Sequence, residues 1–235
     1  MISLIPIGSN GLYPTEGMPT SCYYIEACGK KIVLDLGSGS FSALKKIVEP
    51  ESVDLIIISH FHLDHCADLG VFGYYMQQIG KKIPLFCPGD QNAFSLFGLN
   101  KNFDATAIKE GVVDFCGVGL EFIGVNHPVE TYAVRIFCEG KTLSFTADTN
   151  ECEALGKVFS KSDLVISDSA FLYKDWSDSK PHISALHCGK YAENYRVRTL
   201  LSHIDPRADR AALLSEARSV SGYCELIENG KKYIV

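Results

Sequence analysis

The sequence predicts an α/β fold in which sheet packs on sheet and helices cover the outer faces. Three observations predict it. Short β-rich runs recur along the whole chain, Gly and Pro punctuate them as turns require, and helix-length stretches fall between many of them. With 235 residues, 46% of them hydrophobic and 21% charged, the chain suits a single domain over 1–235 with a sizeable core. No linker, charge block, low-complexity stretch or internal repeat divides it.

In the first third, strands are expected at 2–7, 22–27, 31–36 and 54–59, with turns at Gly8, Gly11, Pro14, Gly17, Pro19, Gly29, Gly37 and Gly39. The run Leu55-Ile56-Ile57-Ile58 is apolar on both faces, as in a strand covered above and below. Helices are expected at 67–78 and 91–97. In the second half the strand candidates are 112–116, 120–125, 132–138 and 142–146. A helix at 152–159 then leads into a strand at 164–167, and a helix at 185–195 into a strand at 197–202. A last helix, 208–220, precedes strands at 223–227 and 232–235.

The net charge of −6 offers no general attraction to polyanions and disfavours a long nucleic-acid track. No apolar run approaches the ~20 residues of a membrane-spanning helix, and the start Met1-Ile2-Ser3-Leu4 lacks the basic head of a secretory signal. The nine cysteines (22, 28, 66, 87, 116, 138, 152, 188 and 224) form no Cys-x-x-Cys pair. Free, mostly buried thiols and a cytoplasmic location are the expectation.

The sharpest feature is His60-Phe61-His62-Leu63-Asp64-His65, directly after the buried strand. Four of its six residues are metal-ligand types leaving one rigid strand end. His60 and His62 can converge on one ion, whereas Asp64-His65 points to a second position. One loop cannot complete two sites. His127, Asp148 and His203 each follow an apolar strand and are the further candidates. Singly, such residues more often cap or hydrogen-bond than ligate; together they supply two nitrogen-rich sets and one shared carboxylate, which a binuclear hydrolytic site needs.

These residues resemble the metallo-β-lactamase superfamily, and within it the ribonuclease Z-like phosphodiesterase branch. The resemblance runs from Gly8-Ser9 through Val33-Leu34-Asp35-Leu36-Gly37, the His-x-His-x-Asp-His loop, His127-Pro128-Val129, Ala147-Asp148-Thr149, Asp168-Ser169-Ala170 and His182-Ile183-Ser184 to Ser202-His203. It is nearest to the small bacterial metallohydrolases that lack the tRNA-binding arm. It implies an αββα sandwich and two Zn²⁺, with manganese or iron able to occupy similar sites. One ion falls to His60, His62 and His127, the other to Asp64, His65 and His203, and Asp148 bridges them. A hydroxide between the ions would attack, with Asp64 orienting it. His182 would donate a proton to the leaving group, supported by Asp168, one methylene shorter than the glutamate of the family. Read from the residues, His182 could instead cap the following helix.

Asp35 either hydrogen-bonds a ligand histidine or braces its own turn. Ser184, at a helix start, and Arg207 are candidate phosphate contacts, although a solvated surface role suits Arg207 as well. Tyr173–Asp178, with the only Trp, is either a stacking lid or a plain loop. Only residues 128–147 separate His127 from Asp148, which leaves no room for a tRNA-gripping arm. The expected activity is hydrolysis of a small or cyclic nucleotide-like phosphodiester. Alternatives are a carboxylic ester, lactone or thioester, or metal-dependent sensing without turnover. A small-molecule partner rather than tRNA is expected, no membrane, and a homodimer.

Overall fold

The computed structural model describes residues 1–235. One sheet contains β1 (Ile2–Gly8), β2 (Cys22–Ala27), β3 (Lys30–Leu34), β4 (Leu55–Ile57), β5 (Pro84–Cys87), β6 (Asp104–Ala107) and β14 (Tyr233–Ile234), in the order β14-β1-β2-β3-β4-β5-β6. The other contains β7 (Gly111–Phe115), β8 (Val118–Gly124), β9 (Tyr132–Cys138), β10 (Lys141–Phe145), β11 (Leu164–Asp168), β12 (Arg198–Ser202) and β13 (Cys224–Leu226), in the order β13-β12-β11-β10-β9-β8-β7. Each sheet is antiparallel over its first strands and parallel over its later ones, the change coming at β3 and at β10.

Helices α1 (Ser40–Leu44), α2 (Leu63–Cys66), α3 (Leu69–Gln78), α4 (Gln91–Leu96) and α5 (Leu99–Asn102) fall between strands of the first sheet. Helices α6 (Ala154–Phe159), α7 (Ala185–Tyr195) and α8 (Arg210–Arg218) fall between strands of the second. The result is the expected αββα layering. No helix is long and apolar enough to cross a membrane.

The run Leu55–Ile58 shows how the layers form. Leu55 and Ile57 point between the sheets and join Leu4, Tyr23, Leu120, Phe122 and Phe145 there. Ile56 and Ile58 point the other way, onto Leu44, Leu69, Phe72 and Met76. All four are fully buried, each contributing roughly 1.5–3 kcal/mol. On the far side, Val165 and Leu201 pack under Val158, Phe159, Ala192 and Leu213.

Most expected elements form within a residue or two of their expected ends, and the departures have local causes. β4 ends at Ile57 rather than at residue 59 because the Ser59 N–H leaves the ladder and donates to Asp35 Oδ1 at 2.8 Å. The expected 67–78 helix begins at Leu69, and the Asp68 carboxylate accepts from the Phe41 N–H at 2.9 Å rather than capping that helix. β5 and β6 were not anticipated. β6, Asp104-Ala105-Thr106-Ala107, is an exposed edge strand with no hydrophobic run to mark it.

One expectation is overturned. Cys28 and Cys138, expected as free thiols, form a disulfide with Cα atoms 5.9 Å apart. It joins the β2–β3 turn of one sheet to the end of β9 in the other. A separation of 110 residues gave no local spacing from which to read the pair. The other seven cysteines are free.

Candidate active site

The ends of β4, β8, β10, β11 and β12 converge on one edge of the sandwich, and the chain there is held by unusual backbone. Asp35, Ala147 and His203 all adopt left-handed conformations (φ 60, 54 and 55°), which non-glycine residues sustain only where surrounding structure over-determines them. Gly37 is required by packing: a Cβ there would lie 2.0 Å from the Asp64 carbonyl oxygen. That contact lets α2 and its Asp64-His65 pair press against the end of β3.

His60, His62, Asp64, His65, His127, Asp148 and His203 come together in two groups that share Asp148. In the first, His60 Nε2 lies 3.6 Å from Asp148 Oδ2 and His127 Nε2 lies 3.0 Å from His62 Nδ1. In the second, His65 Nε2 and His203 Nδ1 each lie 3.2 Å from Asp148 Oδ1, and Asp64 Oδ2 is 3.8 Å from His65 Nε2. Two nitrogen ligands on one tetrahedral zinc stand about 3.3 Å apart, from bonds of about 2.05 Å. His60 Nε2, His65 Nε2 and His203 Nδ1 are buried and lack a hydrogen-bond partner, an expensive state unless a cation completes them. The donor set therefore fits divalent metal ions.

Electrostatics divides these groups. Burial, reinforced by the His65 charge, holds His60 well below the usual imidazole range, and burial brings His127 down to about 4. Neutral imidazoles of this kind are what a metal binds. Burial also pulls on His65, but the Asp148 and Asp35 carboxylates outweigh it and raise its pKa well above normal. For Asp148, burial is outweighed by His203 and His65, so it stays ionised.

Several supporting contacts orient these side chains. Asp35 is fully buried and accepts from His65 Nδ1 at 2.7 Å, as well as from Ser21 and from both the backbone and hydroxyl of Ser59. It thus does both things the sequence left open: it fixes a histidine tautomer and braces its own turn. His182 Nδ1 lies 2.8 Å from Asp168 Oδ2 and 4.0 Å from Asp148 Oδ2. Burial would lower the His182 pKa, but Asp168 outweighs it and raises it to about 9. The capping alternative for His182 is not what forms, since Ser184 caps α7.

Two candidates fare differently. Ser184 is fully buried, its hydroxyl 2.9 Å from His187 Nδ1 and accepting from the His187 N–H, so it is not free for a phosphate. Arg207 reaches the rim of a cavity beside His182, but its guanidinium is held by both Asp205 oxygens. The Tyr173–Asp178 segment is pinned rather than free. The Trp176 ring lies tilted against that of His187 with centroids 4.4 Å apart and donates to Asn150 Oδ1 at 2.8 Å, and the Tyr173 N–H donates to Glu216.

Asn150 was not anticipated. Its Nδ2 reaches the carbonyls of Ser177, Asp178 and Lys180 at 3.1, 3.0 and 2.5 Å, while its N–H donates to Asn126. The Pro181 carbonyl accepts from His127 Nδ1 at 3.2 Å. Asn150 thus ties together the three loops that carry His127, Asp148 and His182. An Asn two residues beyond a candidate ligand carries no sequence signal of this.

Comparison with known proteins agrees with this architecture. Residues 15–75 match the model of the metallo-beta-lactamase superfamily. The crystal structure of the metallo-beta-lactamase fold protein YhfI from Bacillus subtilis superposes with a TM-score of 0.93 at 25% identity, covering 99% of this chain and 98% of that one. Over its whole length the chain thus has the metallo-β-lactamase fold. It is also related to ribonuclease Z: the enzyme of Methanosarcina mazei is 24% identical over 94% of this chain and 93% of its own length. The "Probable metallo-hydrolase YhfI" of Bacillus subtilis (strain 168) is 25% identical over 95% of this chain and 96% of its own.

Proposed function

We propose that this protein is a binuclear zinc-dependent phosphodiesterase acting on small or cyclic nucleotide-like phosphodiesters. One observation carries the reading: Asp148 turns one oxygen to each histidine set, and the His182–Asp168 pair stands beside it. His60, His62 and His127 would hold one ion, Asp64, His65 and His203 the other, and Asp148 both. Bound there, the ions would supply Lewis acidity toward the phosphoryl oxygens and a water acidified to near-neutral pH.

The protein's own side chains supply the rest. Asp64 Oδ2 accepts from the Leu12 N–H at 3.0 Å, which fixes the carboxylate at the mouth of the site, where it would orient the attacking water. Asp168 holds the Nδ1 proton of His182 and leaves Nε2 to deliver a proton to the departing alkoxide. Thr149 and Ala170 donate their N–H groups to Asp168, so the pair is rigid before substrate arrives. The relationship to ribonuclease Z supports phosphoryl rather than acyl chemistry. No element long enough to grip tRNA lies between His127 and Asp148, only the β9–β10 hairpin, which supports a small-molecule substrate.

The test is an assay of purified zinc-loaded protein on bis(p-nitrophenyl) phosphate, a cyclic nucleotide, a lactone and a thioester. Hydrolysis of the diesters is expected; turnover of the lactone or thioester alone would overturn the phosphodiesterase reading. His182→Ala is expected to slow diesters of poor leaving groups ~10²–10⁴-fold, and p-nitrophenyl esters far less. Equal slowing of both would remove His182 as proton donor.

A further inference from the structure

The cavity that opens beside His182 has a volume of about 360 Å³, within the range of small-ligand sites. His182 and His203 form its inner wall, so it is continuous with the candidate metal centre. A proton donor must stand next to the oxygen that departs. With Nδ1 of His182 engaged by Asp168, Nε2 is the nitrogen left for a departing group, and the ring that carries it lines this cavity.

The lining of that cavity is the informative part. Leu12, Phe171, Pro181 and Ala208 supply apolar surface. Apart from His182, which Asp168 pairs, the charged lining residues are Asp205 and Arg207, which neutralise each other: Asp205 Oδ1 lies 3.1 Å from Arg207 Nε, and Oδ2 lies 2.7 Å from Nη2. Arg207 also lies over the Tyr13 ring at 5.9 Å. No residue that lines the cavity carries an unpaired cation, and the nearby Lys180 ammonium is engaged with the Phe171 ring, so a charged group entering would lose hydration with little compensation.

Both apolar walls are held in place. Phe171 meets the His182 ring edge-on at 5.8 Å and has Lys180 Nζ over its ring at 4.6 Å. Leu12 has φ 67°, an uncommon conformation for a branched side chain. Its N–H is tied to Asp64, and its side chain is 57% exposed at the rim. Strain of this kind persists where something holds it. Here it keeps an isobutyl group at the mouth of the cavity.

We propose that this cavity is the leaving-group subsite and that Phe171 and Leu12 make it select a flat, uncharged departing alcohol. The substrate class is then a phosphodiester whose leaving side is a neutral ring, such as a nucleoside or an aryl group, and not the next phosphate of a polynucleotide. This rests on the phosphodiesterase reading above.

The experiment compares zinc-loaded protein on methyl p-nitrophenyl phosphate and on its ring-carboxylated counterpart, which departs with a similar phenoxide but carries an extra charge. Wild type is expected to favour the neutral ester about tenfold or more in kcat/KM. Phe171→Ala is expected to lower kcat/KM for the neutral ester about tenfold, mainly through KM, and to narrow the preference. Leu12→Lys, at the exposed rim, is expected to shift preference toward the carboxylated ester. Equal kcat/KM for the two esters in wild type, or a preference unmoved in both variants, overturns the subsite. Hydrolysis of neither ester, with turnover of a lactone, instead overturns the phosphodiesterase reading itself.

Discussion

At one end of the sandwich the strands run out into His60, His127, Asp148 and His203, in a setting of left-handed backbone and buried nitrogens without partners. At the other end, the β2–β3 turn is tied to β9 by the Cys28–Cys138 disulfide. The Met1 amino group there pairs with Glu139. The same two sheets carry both ends, yet one concentrates polar groups poised for a ligand and the other closes the sheets together. The difference teaches where stability and function are separated in this fold. The covalent staple closes the sheets at one end, and the ligand-type side chains gather at the other, so the two roles fall on different residues.

The largest expected effect is at the polar end. Asp148→Ala removes the carboxylate facing both histidine sets; loss of bound metal by elemental analysis and a fall of at least ~10³-fold in kcat/KM are expected, since several kcal/mol of charge stabilisation depart. Retention of full metal content and rate would break the contrast between the two ends. At the stapled end, Cys28→Ser is expected to cost about 3 kcal/mol in urea unfolding, with kcat/KM unchanged. A large rate loss without a stability loss would show that the ends are not separable.

Smaller effects sharpen the comparison. Asp35→Ala frees the His65 ring and is expected to lower metal affinity or rate by ~10–100-fold, read by chelator competition. Asn150→Ala loosens three site loops, and about a tenfold rate loss is expected, with no further loss when it is combined with His182→Ala. Fully additive losses would mean that Asn150 does not act through His182.

A further effect concerns pH. Asp168 raises His182 from its ordinary 6.5 to about 9, so folding favours the protonated ring. In the metal-free protein that contribution is complete below about pH 6.5 and is lost as pH rises through about 9. Urea unfolding of wild type against His182→Gln should show the larger gap at about pH 6 and the smaller at about pH 10. A gap independent of pH would remove the pair as a source of stability.

Most of the fold was legible because apolar patterning survives into packing. The four-residue run at Leu55–Ile58 announced a doubly covered strand, and β2, β9 and α7 fall where the periodicity put them. The His60–His65 loop was legible for a different reason: dense ligand-type residues in one short stretch are rare by chance and need no partner to be noticed. β6 escaped because its residues carry little apolar weight, and β5 and α1 because four or five residues are too few to show a period. At Ser184 the sequence shows a helix start but not that His187 fills the hydroxyl. The same limit applied to Trp176, whose indole turned out to bond Asn150.

By itself the sequence determined the layered α/β class and the residue types gathered at strand ends, because side-chain chemistry and periodicity are local properties of the chain. Only the tertiary structure decided that Asp148 faces two histidine sets, that Asn150 binds three loops together, that Cys28 meets Cys138, and that the cavity by His182 offers no free cation. Those are distances between residues tens to more than a hundred positions apart, fixed by how two sheets close on a shared core.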